Sequence, residues 1–297
     1  MTLLDKAIVR MLPAVPRPVV QLFSSRYIAG STLADAVGTV RALNGAGKGA
    51  TVDVLGEEIT RAEEARAIAQ AYRDVFAAIE REDLDSNVSV KLTALGLKLS
   101  YELCLENLMS VLDEAAKSGN FVRIDMEDSS TTDDTLRLYR ELREANYDNV
   151  GVVLQAYLRR TVDDIYALAD LQPNVRLCKG IYVEPPALAF TDYEAVRANY
   201  VKALQALATT ASHVAIATHD EWLIEQALGA LPPSYEFQML LGVREERASE
   251  LVRDGHRVRI YVPFGQQWYE YSLRRLQENP AMAGTIARST VSRLLRR

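Results

Sequence analysis

Apolar residues along this chain fall into two alternating rhythms. Short Val- and Ile-rich runs recur, and each is followed by a segment whose apolar positions repeat every three to four residues. The runs are TVDVLG (51–56), NVSVKL (87–92), FVRIDM (121–126), GVVLQA (151–156), VRLCKG (175–180), HVAIATH (213–219), YEFQML (235–240) and RVRIYV (257–262). Continuous apolar runs of this length predict strands of a parallel sheet covered on both faces. The segments between them predict helices. One starts at Thr60, where TRAEE has the form of a capping box. Another is SYELCLENLMSVLDEAAKSG, with Gly119 placed as its terminating glycine. DTLRLYRELREAN, TVDDIYALADL, YEAVRANYVKALQALATT, DEWLIEQALGAL and VREERASELVRDG follow the next strands. A last helix follows Pro263 and Gly265 and carries Arg274, Arg275 and Glu278.

Eight strand–helix units in about 250 residues is the arithmetic of a (βα)8 barrel of the TIM type. Residues 1–44 precede the first strand and predict a helical arm packed outside the barrel. Residues 45–297 then form the barrel domain, with the C-terminal helix as a lid over its mouth and Gly265 as the hinge. An open doubly wound sheet would need a glycine-rich turn directly after its first strand. The only such stretch, GAGKGA (45–50), precedes a strand, and Gly49 stands where a P-loop needs Ser or Thr. It reads as a flexible loop leading into the barrel.

Composition narrows the chemistry. The chain has 297 residues, 48% of them hydrophobic, enough for a large core. A net charge of -6 argues against a nucleic-acid partner. Cys104 and Cys178 make no CxxC pair, which argues against a disulfide framework and fits a reducing compartment. The three histidines show no HxH or HxxxH spacing, so no metal site is expected. No GxSxG supports a serine triad. No apolar run reaches the roughly 18 residues of a membrane span. The N-terminus does not read as a secretory signal, and the basic ARSTVSRLLRR at the other end reads as a helix end with dipole-favouring arginines, with weak attraction to an anionic membrane surface as the alternative.

In a barrel of this kind the site lies at the C-terminal strand ends. Those ends carry Gly56-Glu57, Lys91, Asp125-Met126-Glu127, Gln155, Arg176 with Lys179-Gly180, Thr218-His219, Gln238 and Tyr261. Polar groups buried without partners cost about 1–3 kcal/mol each, so these must satisfy one another or a ligand. Cations and carboxylates converging on one mouth suit an anionic ligand. Singly, Lys91 could snorkel, Asp125 could cap a helix, and His219 could be a satisfied core histidine. Two other readings use the same residues. One is a Schiff-base aldolase with Lys91 or Lys179 as nucleophile. The other is a non-catalytic protein that binds a small anion.

VRIDME, VLQAY, RLCKGIY, ATHD, YEFQMLLG, RIYVPFG and YSLRRLQEN, in this order over roughly residues 50–280, resemble proline dehydrogenase in its small monofunctional bacterial form. The resemblance implies a distorted (βα)8 barrel that binds FAD non-covalently. It would oxidise L-proline to Δ1-pyrroline-5-carboxylate, the first step of proline catabolism, by hydride transfer from proline C5 to FAD N5. The implied partners are L-proline, a membrane quinone as electron acceptor and, transiently, a pyrroline-5-carboxylate dehydrogenase. The implied location is the cytoplasm, with peripheral contact at the inner face of the membrane as a further option.

Carried over by position, Lys91, Arg274 and Arg275 match residues that hold the proline carboxylate. Tyr182, Tyr261 and Leu177 match walls around the proline ring. Asp125 matches a carboxylate that organises the site, and Glu278 a helix carboxylate near the substrate. Met126, Gln155, Arg176, Lys179, Gly180, Ile181, Thr218 and His219 match cofactor contacts, with Arg176 also placed near the reacting edge of the flavin. Glu57 matches a gate that pairs with Arg274. Two positions depart from the bifunctional relatives. Val183 stands where they carry Trp, and Trp268 lies in a segment one residue shorter than theirs.

Overall fold

The computed structural model describes residues 26–56, 59–269 and 272. Eight parallel strands close into a barrel in sequential order, each hydrogen-bonded to the next and the eighth to the first. They are β1 (Gly49–Val54), β2 (Ser86–Val90), β3 (Val122–Ile124), β4 (Val150–Gln155), β5 (Asn174–Cys178), β6 (His213–Ala217), β7 (Tyr235–Leu240) and β8 (Val258–Phe264). Every expected apolar run overlaps its strand. The (βα)8 reading is therefore correct.

Among the described residues the α-helices that follow or precede the strands are α1 (Leu33–Gly45), α2 (Ala62–Arg81), α3 (Tyr101–Lys117), α4 (Thr132–Glu144), α5 (Thr161–Ala167), α6 (Tyr193–Thr210), α7 (Glu221–Leu228) and α8 (Glu245–Arg253). Their inner faces follow the helical period. In α2 the buried stripe is Ala65, Ala69, Tyr72, Phe76 and Ile79, and in α3 it is Cys104, Leu108, Val111 and Ala115. These stripes and the outward-facing strand residues make one continuous core between sheet and helices. Helix α1, the described part of the N-terminal arm, packs on the outside of β8 and β1.

Local signals act as their chemistry dictates. Gly119 takes a φ of +64° just past α3, and Asn120 N–H donates back to Ala115 O at 2.8 Å. The Glu64 carboxylate accepts from the backbone N–H of both Thr60 (2.8 Å) and Arg61 (3.1 Å), so the cap of α2 falls at Arg61. The GAGKGA stretch is not a flexible loop. Gly45 ends α1, Gly49 and Ala50 already belong to β1, and the Asn44 side chain donates to Lys48 O at 3.0 Å. Lys48 is itself buried and donates to Ser249 Oγ at 2.8 Å.

Burial also creates a pH dependence. His213 opens β6 with Nδ1 2.9 Å from Ser234 Oγ, and burial depresses its pKa to about 4. An unfolded histidine titrates near 6.5. The folded state therefore resists protonation. The stability this contributes is complete above about pH 6.5 and is lost as pH falls toward 4. Urea unfolding from pH 7 to pH 4 should show this decline, and His213→Gln should flatten it. An unchanged slope in the variant would assign the decline to other groups.

Candidate active site

Alternation along the strands sends one residue in two into the barrel. At the mouth those residues are charged. Lys91, one residue past β2, donates to Asp53 of β1 at 2.8 Å, to Asp125 past β3 at 3.5 Å and to the Tyr261 hydroxyl of β8 at 3.2 Å. The Tyr261 hydroxyl in turn donates to Asp53 at 2.6 Å. Asp53 has no exposed surface, and its second oxygen accepts from Tyr72 of α2 at 3.1 Å. Arg176 of β5 closes the cluster, donating from Nη1 to Asp125 at 2.7 Å and to Ser89 Oγ at 3.1 Å.

The electrostatics of this cluster are mutual. Burial works against the Lys91 ammonium, but Asp53, Tyr261 and Asp125 outweigh it and hold its pKa well above the ordinary lysine value. Burial likewise works against the Asp125 carboxylate, and Lys91 and Arg176 hold its pKa below the ordinary value. Both groups therefore carry full charge at neutral pH.

The mouth opens into a cavity of about 480 Å3. One wall is Lys91, Asp125 and Tyr261. Met126, Gln155 and Arg176 form a second, and Gln155 Nε2 donates to Met126 O at 2.8 Å. The loop after β5 brings Lys179, Gly180, Ile181 and Tyr182 to the rim. Thr218 and His219 close the far side, and His219 Nε2 accepts from Leu240 N–H at 2.9 Å. Beside them Asp220 binds Arg197 through both oxygens (2.7 and 3.0 Å), Tyr193 at 2.5 Å and Lys179 at 3.2 Å. These donors, Arg197 foremost, hold its pKa well below the ordinary carboxylate value.

Glycine is obligatory at position 180. Its φ is +102°, and a Cβ there would stand 2.0 Å from the Tyr157 ring. Tyr157 N–H donates to Lys179 O at 2.7 Å, so β4–β5 pairing continues into this loop and fixes the approach.

Leu177 does not take the wall position expected of it. Because Arg176 points inward, Leu177 points outward; it is fully buried in the sheet–helix core and does not line the cavity. The leucine on the cavity wall is Leu240, at the end of β7. Trp268 packs against Ile28 and Leu55. Val183 is wholly exposed at 102%. Glu57, Arg274, Arg275 and Glu278 lie outside the described residues. Asp53, Glu236 and Ser89 were not anticipated. The signal for Asp53 was present, a carboxylate in the middle of the apolar run TVDVLG. Among the described residues no cluster of His, Cys, Asp or Glu has metal-binding geometry, and no helix is long and apolar enough to cross a membrane.

A closed parallel barrel with a buried charge cluster at its C-terminal strand ends defines a (βα)8-barrel enzyme. Comparison with known proteins specifies it further. The family model described as proline dehydrogenase matches residues 36–288. Proline dehydrogenase 1 of Bacillus subtilis (strain 168) is 39% identical over 279 residues, 92% of either chain. Proline dehydrogenase of Deinococcus radiodurans is 34% identical over 273 residues, 89% of this chain and 88% of that one. Among solved structures, proline utilization A from Bdellovibrio bacteriovorus, inactivated by N-propargylglycine, superposes with a TM-score of 0.79 at 25% identity. The match covers 86% of this chain and 32% of that one, so this chain corresponds to about a third of that protein.

The chain belongs to the proline dehydrogenase family. It is an oxidoreductase that converts proline to Δ1-pyrroline-5-carboxylate, the first step of proline catabolism, in a family that depends on flavin.

Proposed function

We propose that the cavity holds FAD non-covalently beside L-proline, and that the electrons pass on to a membrane quinone. The observation that carries this is a pair of buried, unpartnered polar atoms on cavity-lining side chains. Arg176 Nη2, a donor, and Gln155 Oε1, an acceptor, have no hydrogen-bond partner among the described residues. A flavin ring edge offers both an N–H donor and carbonyl or ring-nitrogen acceptors, so these residues fit it. When bound, FAD supplies the acceptor, at N5, for the hydride that leaves proline C5.

The protein's own residues position the substrate and set its charge. Lys91 offers a point charge to the carboxylate, Arg274 and Arg275 act as its bidentate partners, and Glu278 and the Glu57 gate balance their charge. Tyr182 and Tyr261 wall the ring, with Leu240 in place of Leu177. Asp125 fixes Lys91, Tyr261 and Arg176 together. Hydride loss needs a neutral amine; cations around the site lower the amine's proton affinity, so no separate base is assigned. Met126, Lys179, Gly180, Ile181, Thr218 and His219 complete the cofactor cradle. The enzyme works in the cytoplasm against the inner membrane face, handing its product transiently to a pyrroline-5-carboxylate dehydrogenase. The residues 45–297 act as one catalytic barrel with the 1–44 arm outside it.

The aldolase reading is disfavoured by chemistry. A Schiff-base lysine must become neutral to attack; Lys91 is held charged by two carboxylates, and Lys179 is paired with the Asp220 carboxylate at 3.2 Å. Steady-state reduction of a soluble quinone by L-proline tests the proposal. Proline-dependent turnover by a yellow protein supports it, and a colourless protein inert toward proline defeats it. Ring-wall geometry gives a sharper expectation. Tyr261→Ser should raise kcat/KM for 4-hydroxyproline relative to proline by about tenfold, the scale of one misfit methylene-sized group. An unaltered ratio would remove Tyr261 from the ring wall.

A further inference from the structure

Arg176 does not stand alone; a chain of buried side chains holds it from two strands away. Its Nε donates to Gln238 Oε1 of β7 at 2.5 Å. Gln238 Nε2 donates to Glu236 Oε1, also on β7, at 2.5 Å. Glu236 receives Arg259 Nε of β8 on both oxygens, at 3.1 and 3.2 Å. All of these residues except the partly buried Arg259 are at most 8% exposed. Strand β6 lies between Arg176 and Gln238, and there Ala215 and Ala217 sit opposite Arg176 and Gln238 in register. Their small side chains let Arg176 reach across.

The chain has a direction imposed by chemistry. A carboxylate only accepts, so Glu236 must receive the NH2 of Gln238. The carbonyl of Gln238 must then face Arg176, whose Nε only donates. Asp125 and Ser89 fix Nη1 from the opposite side. With Nε and Nη1 both occupied, Nη2 is the donor left over, buried and without a partner among the described residues. We propose that Glu236 and Gln238 are positioning residues that lock the Arg176 guanidinium so that Nη2 is presented to the flavin. This rests on the cofactor placement proposed above. A guanidinium held toward the flavin stabilises the additional negative charge of its reduced form and so raises its reduction potential.

The test is the two-electron midpoint potential of the purified FAD-loaded protein, measured by spectroelectrochemistry, with flavin content and thermal melting recorded alongside. Gln238→Met keeps the volume and leaves the Arg259–Glu236 pair intact, but removes the acceptor for Nε. Glu236→Gln keeps the shape but frees the Gln238 amide to turn over. Each should lower the equilibrium constant for flavin reduction at least tenfold, a shift of about 30 mV downward. The double variant should shift no further than Gln238→Met alone, because the two act through one chain. If Glu236→Gln fails to fold, Gln238→Met decides the matter. Arg176→Lys separates this proposal from the cofactor placement. A potential that moves in Arg176→Lys but not in Gln238→Met overturns the positioning role alone. A potential unmoved in both overturns the placement of flavin beside Arg176 as well.

Discussion

Lys91→Met should unfold more easily than the wild type by about 3 kcal/mol and lose about a hundredfold in kcat/KM for proline. The stability loss comes from what is left behind. Asp53 has no exposed surface and Asp125 little, and Lys91 is the cation between them. Removing one partner of a buried ion pair costs about 3–5 kcal/mol because the other charge stays buried. Arg176 and Ser89 still serve Asp125, and the Tyr261 hydroxyl still serves Asp53, which keeps the loss at the low end. In a chain of this size that corresponds to a melting temperature lower by on the order of 10 °C. The kinetic loss is that of one charge-assisted hydrogen bond to the substrate carboxylate, about 1.5–3 kcal/mol, and should fall mainly on KM. Thermal melts and steady-state kinetics check both. Wild-type stability would show that the two carboxylates do not depend on Lys91.

Gly180→Ala should cost about 3 kcal/mol and leave the protein nearly without flavin. A φ of +102° is strained for any side-chain-bearing residue, and the new Cβ would overlap the Tyr157 ring. Tyr157 does not yield easily: it is 7% exposed, and its backbone is tied to Lys179. Relief therefore has to come from the loop that carries Lys179, Ile181 and Tyr182 to the cavity rim. Gly119→Ala is the matched comparison. That glycine also has positive φ, +64°, but nothing lies within 4 Å of its Cβ position. It should cost about 1 kcal/mol and keep its flavin. Flavin content by absorbance, with melting curves, distinguishes the two. Full flavin in Gly180→Ala would mean the loop is not part of the cofactor cradle.

The barrel could be read from the chain because each strand is an unbroken apolar run and each helix shows its own period. Both signals are local. The cavity residues were legible where they sit at strand ends, as with Lys91, Gln155 and Thr218, since a polar residue closing an apolar run stands out. Asp53 lies one turn of the pleat deeper, so a reading confined to strand ends passes it by. Its partners Lys91 and Tyr261 are 38 and 208 residues away, and no local pattern links them. Glu236 escaped for the same reason, because its partner Arg259 lies on the neighbouring strand. Leu177 shows the reverse error. Period-2 alternation excludes it from the face that holds Arg176, and that simple geometric check outweighs a positional match to a family.

The central claim is that this barrel mouth brings proline and a flavin together. Its most direct measurement is the visible absorbance of the purified protein, kept free of oxygen, before and after L-proline is added. The account predicts an oxidised-flavin band that bleaches as proline is added and returns when a quinone follows. A protein with no flavin band, or one whose band is indifferent to proline, would contradict it.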